Sequence, residues 1–333
     1  MKKNRWLVGV TIAAAVTLGI SGCASGGGSS SGGSTGKKDL GSATILGNWF
    51  AQAEMGGYIA ADANDLGKKY GVKVNFKQGG PGIQTIPQVA AGKAEFGVGN
   101  ADEILVARQS GLPIVAVAAG PAENLQCLAY HKSTGITDFA SLNKPDVTVS
   151  RVPSPYWDFI QGHFHLNDVK VVNITSLAAF QKDQNMVLQC FITNEPYTIQ
   201  KMGLSDIGYL RVKDSGYNAY QDMLFTTESF AKQHPDVVKA VVAATVDGWN
   251  KLLTDPSATA AFVKKQNPDA DPGVFDFAVN LMKKDNILGT PDIGQISDAR
   301  MKELRDQLAE IKQVKPDMDY KSAFTTEFLP SGK

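Results

Sequence analysis

Strand-like and helix-like segments alternate along most of this chain, and no other feature of the sequence limits its fold as strongly. In the first part, the strand-like runs are residues 43–46, 72–76, 95–99 and 113–119, and the helix-like runs are residues 55–70, 83–91 and 102–110. Because strand–helix–strand units connect by right-handed crossovers, this series predicts an α/β lobe with a mostly parallel sheet. Pro87 inside the second helix predicts a kink or a late start there.

A second series of the same kind begins near residue 125. Its strand-like runs are residues 125–130, 147–150, 169–174, 188–193, 207–210 and 223–226, and its helix-like runs are residues 156–164 and 177–183 and a helix that begins at residue 196. After residue 228 the pattern is almost wholly helical, over residues 235–253, 257–265, 272–284 and 293–312. This helical tail has no sheet of its own, so we expect it to pack on lobes that are already formed.

The two series predict two lobes that the chain connects by crossing between them twice. We assign residues 41–128 and 223–333, including the C-terminal helices, to lobe one, and residues 129–222 to lobe two. Two crossings make a two-strand hinge, which suits opening and closing around a ligand. The predicted fold class is therefore α/β with two lobes, each a mostly parallel sheet flanked by helices.

The N-terminal segment predicts export and a lipid anchor. Three basic residues precede an apolar run over residues 6–20, which has the size of a signal-peptide core and is short for a transmembrane helix. Residues 20–23 resemble a bacterial lipobox ending in Cys23, so residues 1–22 are the predicted signal peptide. Residues 23–40, rich in Gly and Ser, form a tether. We expect a domain anchored through lipid on Cys23 to the outer face of the cytoplasmic membrane; a cleaved secretory signal with an incidental cysteine is the alternative.

The charge balance excludes a nucleic-acid binder. The chain has 33 basic and 33 acidic residues, and signal cleavage removes three of the basic ones, which leaves about three net negative charges. A nucleic-acid partner would need a basic field. Cys127 and Cys190 lie in apolar strand-like runs; export permits a bridge between them, but two buried free thiols is the favoured interpretation.

The sequence offers little that points to an enzyme. Of the four histidines, His163 and His165 are close together, but they end a helical pattern and have no third ligand near them in the sequence. The chain has no Gly-x-Ser-x-Gly, His-Glu-x-x-His or Cys-x-x-Cys motif. We therefore expect no catalytic residue, no metal and no cofactor.

Ligands of open α/β sheets bind beyond the carboxyl ends of the strands, and this rule selects candidate residues in lobe one. They are Asn48, Trp49, Phe50, Glu54, Tyr58, Gly80 and Asn100. The aromatic rings can instead cap the core, and Glu54 can serve a helix dipole. The glycine-rich turn at residues 79–82 can grip a ligand through backbone N–H groups or simply be a tight turn. Asp102 is the predicted helix cap, and Asn100 the better contact candidate.

The same rule selects candidates in lobe two, namely Arg151, Tyr156, Trp157, Asn194, Glu195, Tyr197 and Tyr217. Ser154 is a plausible helix cap before Pro155, so that helix is expected to begin at the cleft. Glu195 can also be explained by its place near a helix N-terminus, and the aromatic residues by the core or the surface. Rings combined with carboxylates favour a planar ligand with N–H groups; an oxyanion site would need more than Arg151. A carbocyclic or amine ligand stays open.

Five segments resemble a known family. Residues 46–58, 79–82, 92–102, 138–142 and 193–197 resemble the substrate-binding proteins of ABC importers in the thiamine-pyrimidine-precursor, riboflavin, nitrate and sulfonate group. The likeness runs from about residue 44 to about residue 253. It implies a type II periplasmic-binding-protein fold, two lobes, a ligand in the cleft between them, and delivery to a membrane permease. We expect a monomer that captures its ligand by lobe closure and works with the permease and its ATPase.

The resemblance and the candidate residues together favour a hydroxymethylpyrimidine or flavin as the ligand. An alkylsulfonate or nitrate-type anion and a sensor-type binding lobe are the alternatives. The yeast pyrimidine synthases related to this fold carry a cysteine-rich run that this chain lacks.

Overall fold

The two predicted sheets are present in the structure, a computed structural model that describes residues 38–330. The predictions on the signal peptide, Cys23 and the tether up to residue 37 lie outside the described residues. The first sheet has the strand order β2-β1-β3-β10-β4. Its strands are β1 (Ser42–Leu46), β2 (Lys73–Lys77), β3 (Phe96–Gly99), β4 (Ile114–Ala118) and β10 (Met223–Thr227). In this sheet β10 runs in the opposite direction to the other four strands.

The second sheet repeats this design, with the strand order β7-β6-β8-β5-β9. Its strands are β5 (Gln126–His131), β6 (Thr148–Ser150), β7 (Lys170–Val172), β8 (Met186–Phe191) and β9 (Ile207–Arg211). Here β5 is antiparallel to both β8 and β9, and the other pairs are parallel. Each sheet thus has four strands in one direction and one in the opposite direction. The opposite strand, β10 or β5, is the first strand after the chain has crossed from the other lobe. The predicted fold class is confirmed.

Helices flank both sheets within the described chain. They are α1 (Gly56–Ala63), α2 (Thr85–Ala90), α3 (Ala101–Gln109), α4 (Pro155–His163), α5 (Leu177–Lys182), α6 (Glu195–Lys201), α7 (Glu228–Gln233), α8 (Pro235–Thr254), α9 (Ser257–Gln266), α10 (Pro272–Lys284) and α11 (Asp298–Glu310). The helix with Pro87 starts late, at Thr85, so that the proline falls in its first turn, where a missing N–H costs no helical hydrogen bond. No helix of residues 38–330 is long and apolar enough to cross a membrane.

The helix predicted over residues 55–70 is interrupted, which corrects the sequence-based expectation. Helix α1 ends at Ala63, Asp65 adopts a left-handed conformation with φ 51°, and residues 66–70 form a 3₁₀ helix. Asparagine and aspartate tolerate this backbone conformation better than most residues, so Asn64-Asp65 provides the break. The helical periodicity continues across the break and therefore concealed it.

Helix α1 is held very close to α8 by two glycines. A Cβ atom on Gly57 would lie 2.2 Å from Cδ2 of Trp249, and one on Gly248 would lie 2.0 Å from the carbonyl oxygen of Gly57. Trp249 is fully buried and packs edge-on against Tyr58. Because the long C-terminal helix α8 fixes α1 in this way, it also fixes the loop between β1 and α1, which carries several of the candidate residues.

The first crossing between the lobes comes earlier than the sequence suggests. All of β5, from Gln126 onward, pairs with strands of the second sheet, so residues 126–128 belong to that sheet and not to lobe one. The crossing segments are residues 119–125 and 212–222. Lys213 Nζ of the second segment donates to Glu123 Oε2 of the first, and Asn218 Oδ1 accepts from the Asn124 N–H at 2.9 Å.

The C-terminal helix α11 contacts both lobes. It packs against α3 of lobe one and α4 of lobe two. Arg300 on this helix donates to the carbonyl oxygen of Ala122 in the first crossing segment, and its Nη2 donates to Asn218 Oδ1 in the second at 3.0 Å. The helical tail therefore packs on lobes formed earlier, as expected, and it also ties together the two strands of the hinge.

Cys127 and Cys190 form a disulfide, so the favoured interpretation of two free thiols is wrong. The two residues face each other across the antiparallel pair β5–β8, and their Cα atoms are 4.8 Å apart. Both side chains are buried. Their approach depends on a strand pairing between residues 63 positions apart, which the spacing of the cysteines alone does not reveal.

Candidate functional site

A cleft of about 960 Å³ lies between the two lobes, at the edges where the parallel strands end. Lobe one lines it with the loops after β1, β2 and β3, and lobe two lines it with the segments after β6, β7 and β8. Two further residues, Gln126 and Asp222, enter at the start of β5 and just before β10. Because those two strands are antiparallel, their beginnings lie at the same sheet edge as the ends of the others.

Six of the predicted site residues line this cleft. They are Asn48, Trp49, Gly80, Asn100, Asn194 and Glu195. Trp49 is 45% exposed, which leaves its ring available to a ligand. The cap prediction at the third strand was wrong: Asn100, not Asp102, is the N-cap of α3, where it forms a capping box with Glu103. Asn100 nevertheless lines the cleft.

Four predicted aromatic residues lie in the cores and not in the cleft lining. Tyr58, Tyr156, Trp157 and Tyr217 are all buried. The hydroxyl of Tyr58 donates to the carbonyl oxygen of Asp222, and that of Tyr217 donates to Asp102 Oδ2 at 2.8 Å. These tyrosines therefore support the walls of the cleft from behind, because each fixes a residue in or next to a lining segment. Tyr156 and Trp157 lie in the first turn of α4, and both side chains pack in a hydrophobic core.

Three other predicted residues lie near the cleft without lining it. Phe50 is exposed beside Trp49, with ring centroids 5.5 Å apart. The Arg151 side chain is mostly buried, and its Nη2 is 4.0 Å from Asp158 Oδ1. Tyr197 packs instead toward α10, against Phe277. The one basic residue among the predicted contacts is therefore not part of the cleft lining.

Glu54 connects the two lobes rather than lining the cleft. Its carboxylate is buried and accepts a hydrogen bond from the hydroxyl of Thr193, which follows β8 in lobe two. Burial raises the pKa of Glu54, and the bond from Thr193 opposes that rise. The contact joins the loop after β1 to the loop after β8 directly behind the cleft.

Three carboxyl groups line the cleft, and the pKa of each is about 7. Burial raises the pKa of Glu195 to about 7, although the Phe191 N–H donates to its Oε2 at 2.6 Å. Burial also raises the pKa of Asp222 to about 7, against the bond that Asn48 Nδ2 donates to its Oδ1 at 2.8 Å. For Glu103, loss of solvation and then the charge of Asp102 raise the pKa to about 7.

Several polar residues of the lining were not predicted from the sequence, above all Glu103 and Asp222. Glu103 was detectable as the last residue of the capping-box pattern that begins at Asn100. Asp222 lies just before β10 and Gln126 at the start of β5, so a rule that selects the residues after strands does not find them. Gln189 has no local signal at all: it lies within β8, and its Oε1 accepts from the Val152 N–H at 2.8 Å.

The lining combines negative charge with apolar surface. Among the described residues that line the cleft there are three carboxyl groups and no Lys, Arg or His. Trp49, Ile83 and Val152, which also line it, are among the few large hydrophobic residues that the described chain exposes. A cleft of this composition can hold a ligand with hydrogen-bond donors or positive charge and a flat or apolar body.

Two lobes with a cleft at their facing sheet edges define the class of two-lobed periplasmic binding proteins, and solved structures share this fold. The chain belongs to the NMT1/THI5-like family, whose model matches residues 52–259. A comparison with curated proteins finds no match.

Three solved structures are similar to this chain. The periplasmic aliphatic sulphonate binding protein SsuA from Escherichia coli has a TM-score of 0.67 and 14% identity over 88% of this chain and 94% of its own. The alkanesulfonate-binding protein SsuA from Xanthomonas axonopodis pv. citri, bound to MOPS, has a TM-score of 0.62 and 12% identity over 88% and 100%. The desulfurization enzyme DSZB has a TM-score of 0.57 and 12% identity over 86% and 97%. At these identities the likeness establishes the fold.

Proposed function

We propose that this chain is the extracytoplasmic solute-binding protein of an ABC importer. The observation that carries the proposal is the cleft of about 960 Å³, which is lined from both lobes and by Asp222 of the second crossing segment. In such an arrangement a ligand that touches both walls stabilises the closed form, because its contacts exist only when the lobes approach. The signal-like N-terminus with Cys23, the family and the binding-protein neighbours support a role outside the cytoplasmic membrane. The partners are then a permease and its ATPase.

The ligand we propose is a small planar heteroaromatic molecule, such as a thiamine pyrimidine precursor or a riboflavin-like ring system. Trp49 offers a ring face, and the carboxyl groups and the side chains of Asn48, Asn100 and Asn194 offer acceptors for ring N–H and amino groups. The proposed contacts are the six predicted residues that line the cleft together with Glu103 and Asp222.

An alkylsulfonate is the second candidate, because two of the similar structures are sulfonate-binding proteins. The composition of the cleft argues against it. A sulfonate keeps its negative charge at neutral pH, and three acidic groups without a basic partner in the described lining oppose an anion. Protonated carboxyl groups can donate hydrogen bonds to an oxyanion, so this candidate predicts binding that strengthens at acidic pH.

An enzymatic role is the third candidate, since DSZB has the same fold. The described cleft lining of the present chain contains no histidine and no cysteine, so it offers no Ser–His or Cys–His pair for nucleophilic catalysis. A sensor-type binding lobe uses the same cleft without import. Loss of uptake of the ligand when the gene is deleted distinguishes import from sensing.

A thermal-shift screen of residues 38–333 tests the proposal. The panel contains hydroxymethylpyrimidine, thiamine, riboflavin, taurine, alkanesulfonates and nitrate. A ligand that binds only the folded state must raise the melting temperature. We expect a rise with a pyrimidine or a flavin, followed by saturable binding in calorimetry without turnover of the ligand. A rise with a sulfonate or nitrate alone contradicts the proposed ligand class.

Closure is tested separately by small-angle X-ray scattering of the same protein. We expect the radius of gyration to fall when the ligand found in the screen is added, because the lobes approach each other. An unchanged scattering curve at saturating ligand contradicts capture by lobe closure.

A further inference from the structure

The charge of the cleft is not matched by any basic residue of its described lining. Glu103 comes from lobe one, Glu195 from lobe two, and Asp222 from the segment that returns to lobe one. Carboxyl groups gathered from three segments in a cleft without Lys, Arg or His repel one another when charged, and each loses part of its hydration. Such an arrangement is stabilised most by a positive group that arrives with the ligand.

Hydrogen bonds through Asn100 hold the Glu103 carboxylate and the backbone of Asp222 close to the same residue. The backbone N–H of Asn100 donates to Glu103 Oε2 at 3.1 Å, and Asn100 Oδ1 accepts from the backbone N–H of Asp222 at 3.2 Å. Glu103 and Asp222 therefore lie around the same asparagine. Besides burial, the charges of Glu54 and then of Glu103 raise the pKa of Asp222.

A buried acceptor in the same wall also lacks a donor. Asn48 uses its Nδ2 to donate to Asp222, while its Oδ1 is buried and accepts no hydrogen bond from the described residues. An unpaired buried acceptor destabilises the protein, because it has lost its hydrogen bonds to water without a replacement. A ligand with several N–H donors at this wall supplies the missing bond, as a protonated amine with three donors does.

Exposed apolar side chains gather in the cleft lining and next to it in the chain. The large hydrophobic side chains that the described chain exposes are Trp49, Phe50, Ile83, Val152 and Ile174. Three of them line the cleft, and the other two directly neighbour the lining residues Trp49 and Thr175 in the chain. Exposed apolar residues gathered at one cleft indicate that something apolar covers them when it is occupied.

We infer that the ligand is an organic cation with a planar aromatic body, an inference that rests on the proposed solute-binding function. Its positive group, an ammonium or amidinium, binds at Glu103, Asp222 and Glu195. Its body lies against Trp49, Ile83 and Val152. The carboxyl groups thus select for the positive charge of the ligand, and the apolar side chains select for its hydrophobic body.

Three probes with one ring and different charges test this inference: benzylamine, benzyl alcohol and phenylmethanesulfonate. Their binding to residues 38–333 is measured by calorimetry at pH 8, where benzylamine is protonated and the cleft carboxyl groups are mostly ionised. We expect benzylamine to bind at least about tenfold more tightly than the alcohol, and the sulfonate to bind most weakly. In the double variant Glu103→Gln/Glu195→Gln we expect the ratio of the amine affinity to the alcohol affinity to fall by about tenfold or more.

The matched control is Glu310→Gln, which removes an exposed carboxylate at the end of α11, outside the cleft. It must leave all three affinities unchanged, and circular dichroism of each variant must match the parent. Equal binding of amine and alcohol, tighter binding of the sulfonate, or no amine binding at millimolar concentration overturns the inference. If the thermal-shift panel still identifies a ligand in that case, the proposed solute-binding function is retained and only the inference of a cationic ligand is rejected. If the panel identifies none, both the function and the inference are rejected.

Discussion

Replacing Glu195 with glutamine tests the unusual acidity of the cleft directly. Burial raises the pKa of Glu195 from 4.5 to about 7 in the folded protein. At 1.36 kcal/mol for each pH unit between these two pKa values, the buried carboxylate costs about 3 kcal/mol once it is ionised. Glutamine has nearly the same shape and no charge, and its carbonyl oxygen can still accept from the Phe191 N–H.

The direction in which the free energy of unfolding changes with pH depends on whether the folded or the unfolded chain holds the Glu195 proton. Below pH 4.5 the group is protonated in both the folded and the unfolded chain, so it contributes no pH dependence. Between pH 4.5 and about 7 the unfolded chain loses the proton while the folded chain keeps it, so the free energy of unfolding falls as the pH rises. Above pH 7 the full cost is present. The glutamine variant avoids that cost and is expected to be more stable than the parent only at the higher pH.

Thermal unfolding of residues 38–333 at pH 4 and pH 8 measures this difference. At about 2 °C for each kcal/mol in a protein of this size, we expect Glu195→Gln to melt about 6 °C above the parent at pH 8. At pH 4 we expect equal melting temperatures. Glu310→Gln, which is exposed, should show no difference at either pH. A variant that is no more stable than the parent at pH 8 would refute the argument that Glu195 is held at a high pKa by burial.

Three further predictions concern the disulfide, the ring of the cleft and the N-terminal anchor. Replacing Cys127 and Cys190 with serine, or reducing them, should lower the free energy of unfolding by about 4 kcal/mol in urea titrations, because the bond closes a loop with a separation of 63 residues; an unchanged midpoint under reducing agent would contradict this. Trp49→Ala should weaken binding of the captured ligand by about tenfold or more in calorimetry, since its ring is 45% exposed at the cleft, and should leave the melting temperature nearly unchanged; the reverse pattern would make Trp49 a purely structural residue. Cys23→Ser should abolish metabolic labelling with radioactive palmitate and release the protein from the membrane fraction, and persistent labelling would exclude Cys23 as the lipid site.

The positions of the site segments were predictable because strand ends are a local property of the sequence. Short apolar runs, glycines and proline fixed where the strands stop, and the strand-end rule then selected the loops after β1, β2, β3, β6 and β8. Each of these loops contributes at least one residue to the cleft. The rule is a statement about sheets, so it applies to any chain in which the parallel strands can be recognised.

The identity of the contacts within those segments was less predictable. Trp49 and Trp157 both follow strands and both precede or begin helices, yet Trp49 is exposed at the cleft and Trp157 is completely buried. An aromatic side chain in a loop that leads into a helix can point into the cleft or into the core, because its direction depends on the elements packed against it. The sequence therefore identified the segments but overestimated how many aromatic residues face the ligand.

The sequence by itself determined the α/β class, the two series of strands, the helical tail and the loops at which a ligand can bind, because periodicity, turns and strand ends are local. Only the tertiary structure decided that β5 and β10 are antiparallel, which brings Gln126 and Asp222 to the cleft and joins Cys127 to Cys190. It also decided that Tyr58 and Tyr217 support the cleft from the core. Strand partners and side-chain environments are set by contacts between residues far apart in the chain, and those contacts form only when the sheets and helices pack.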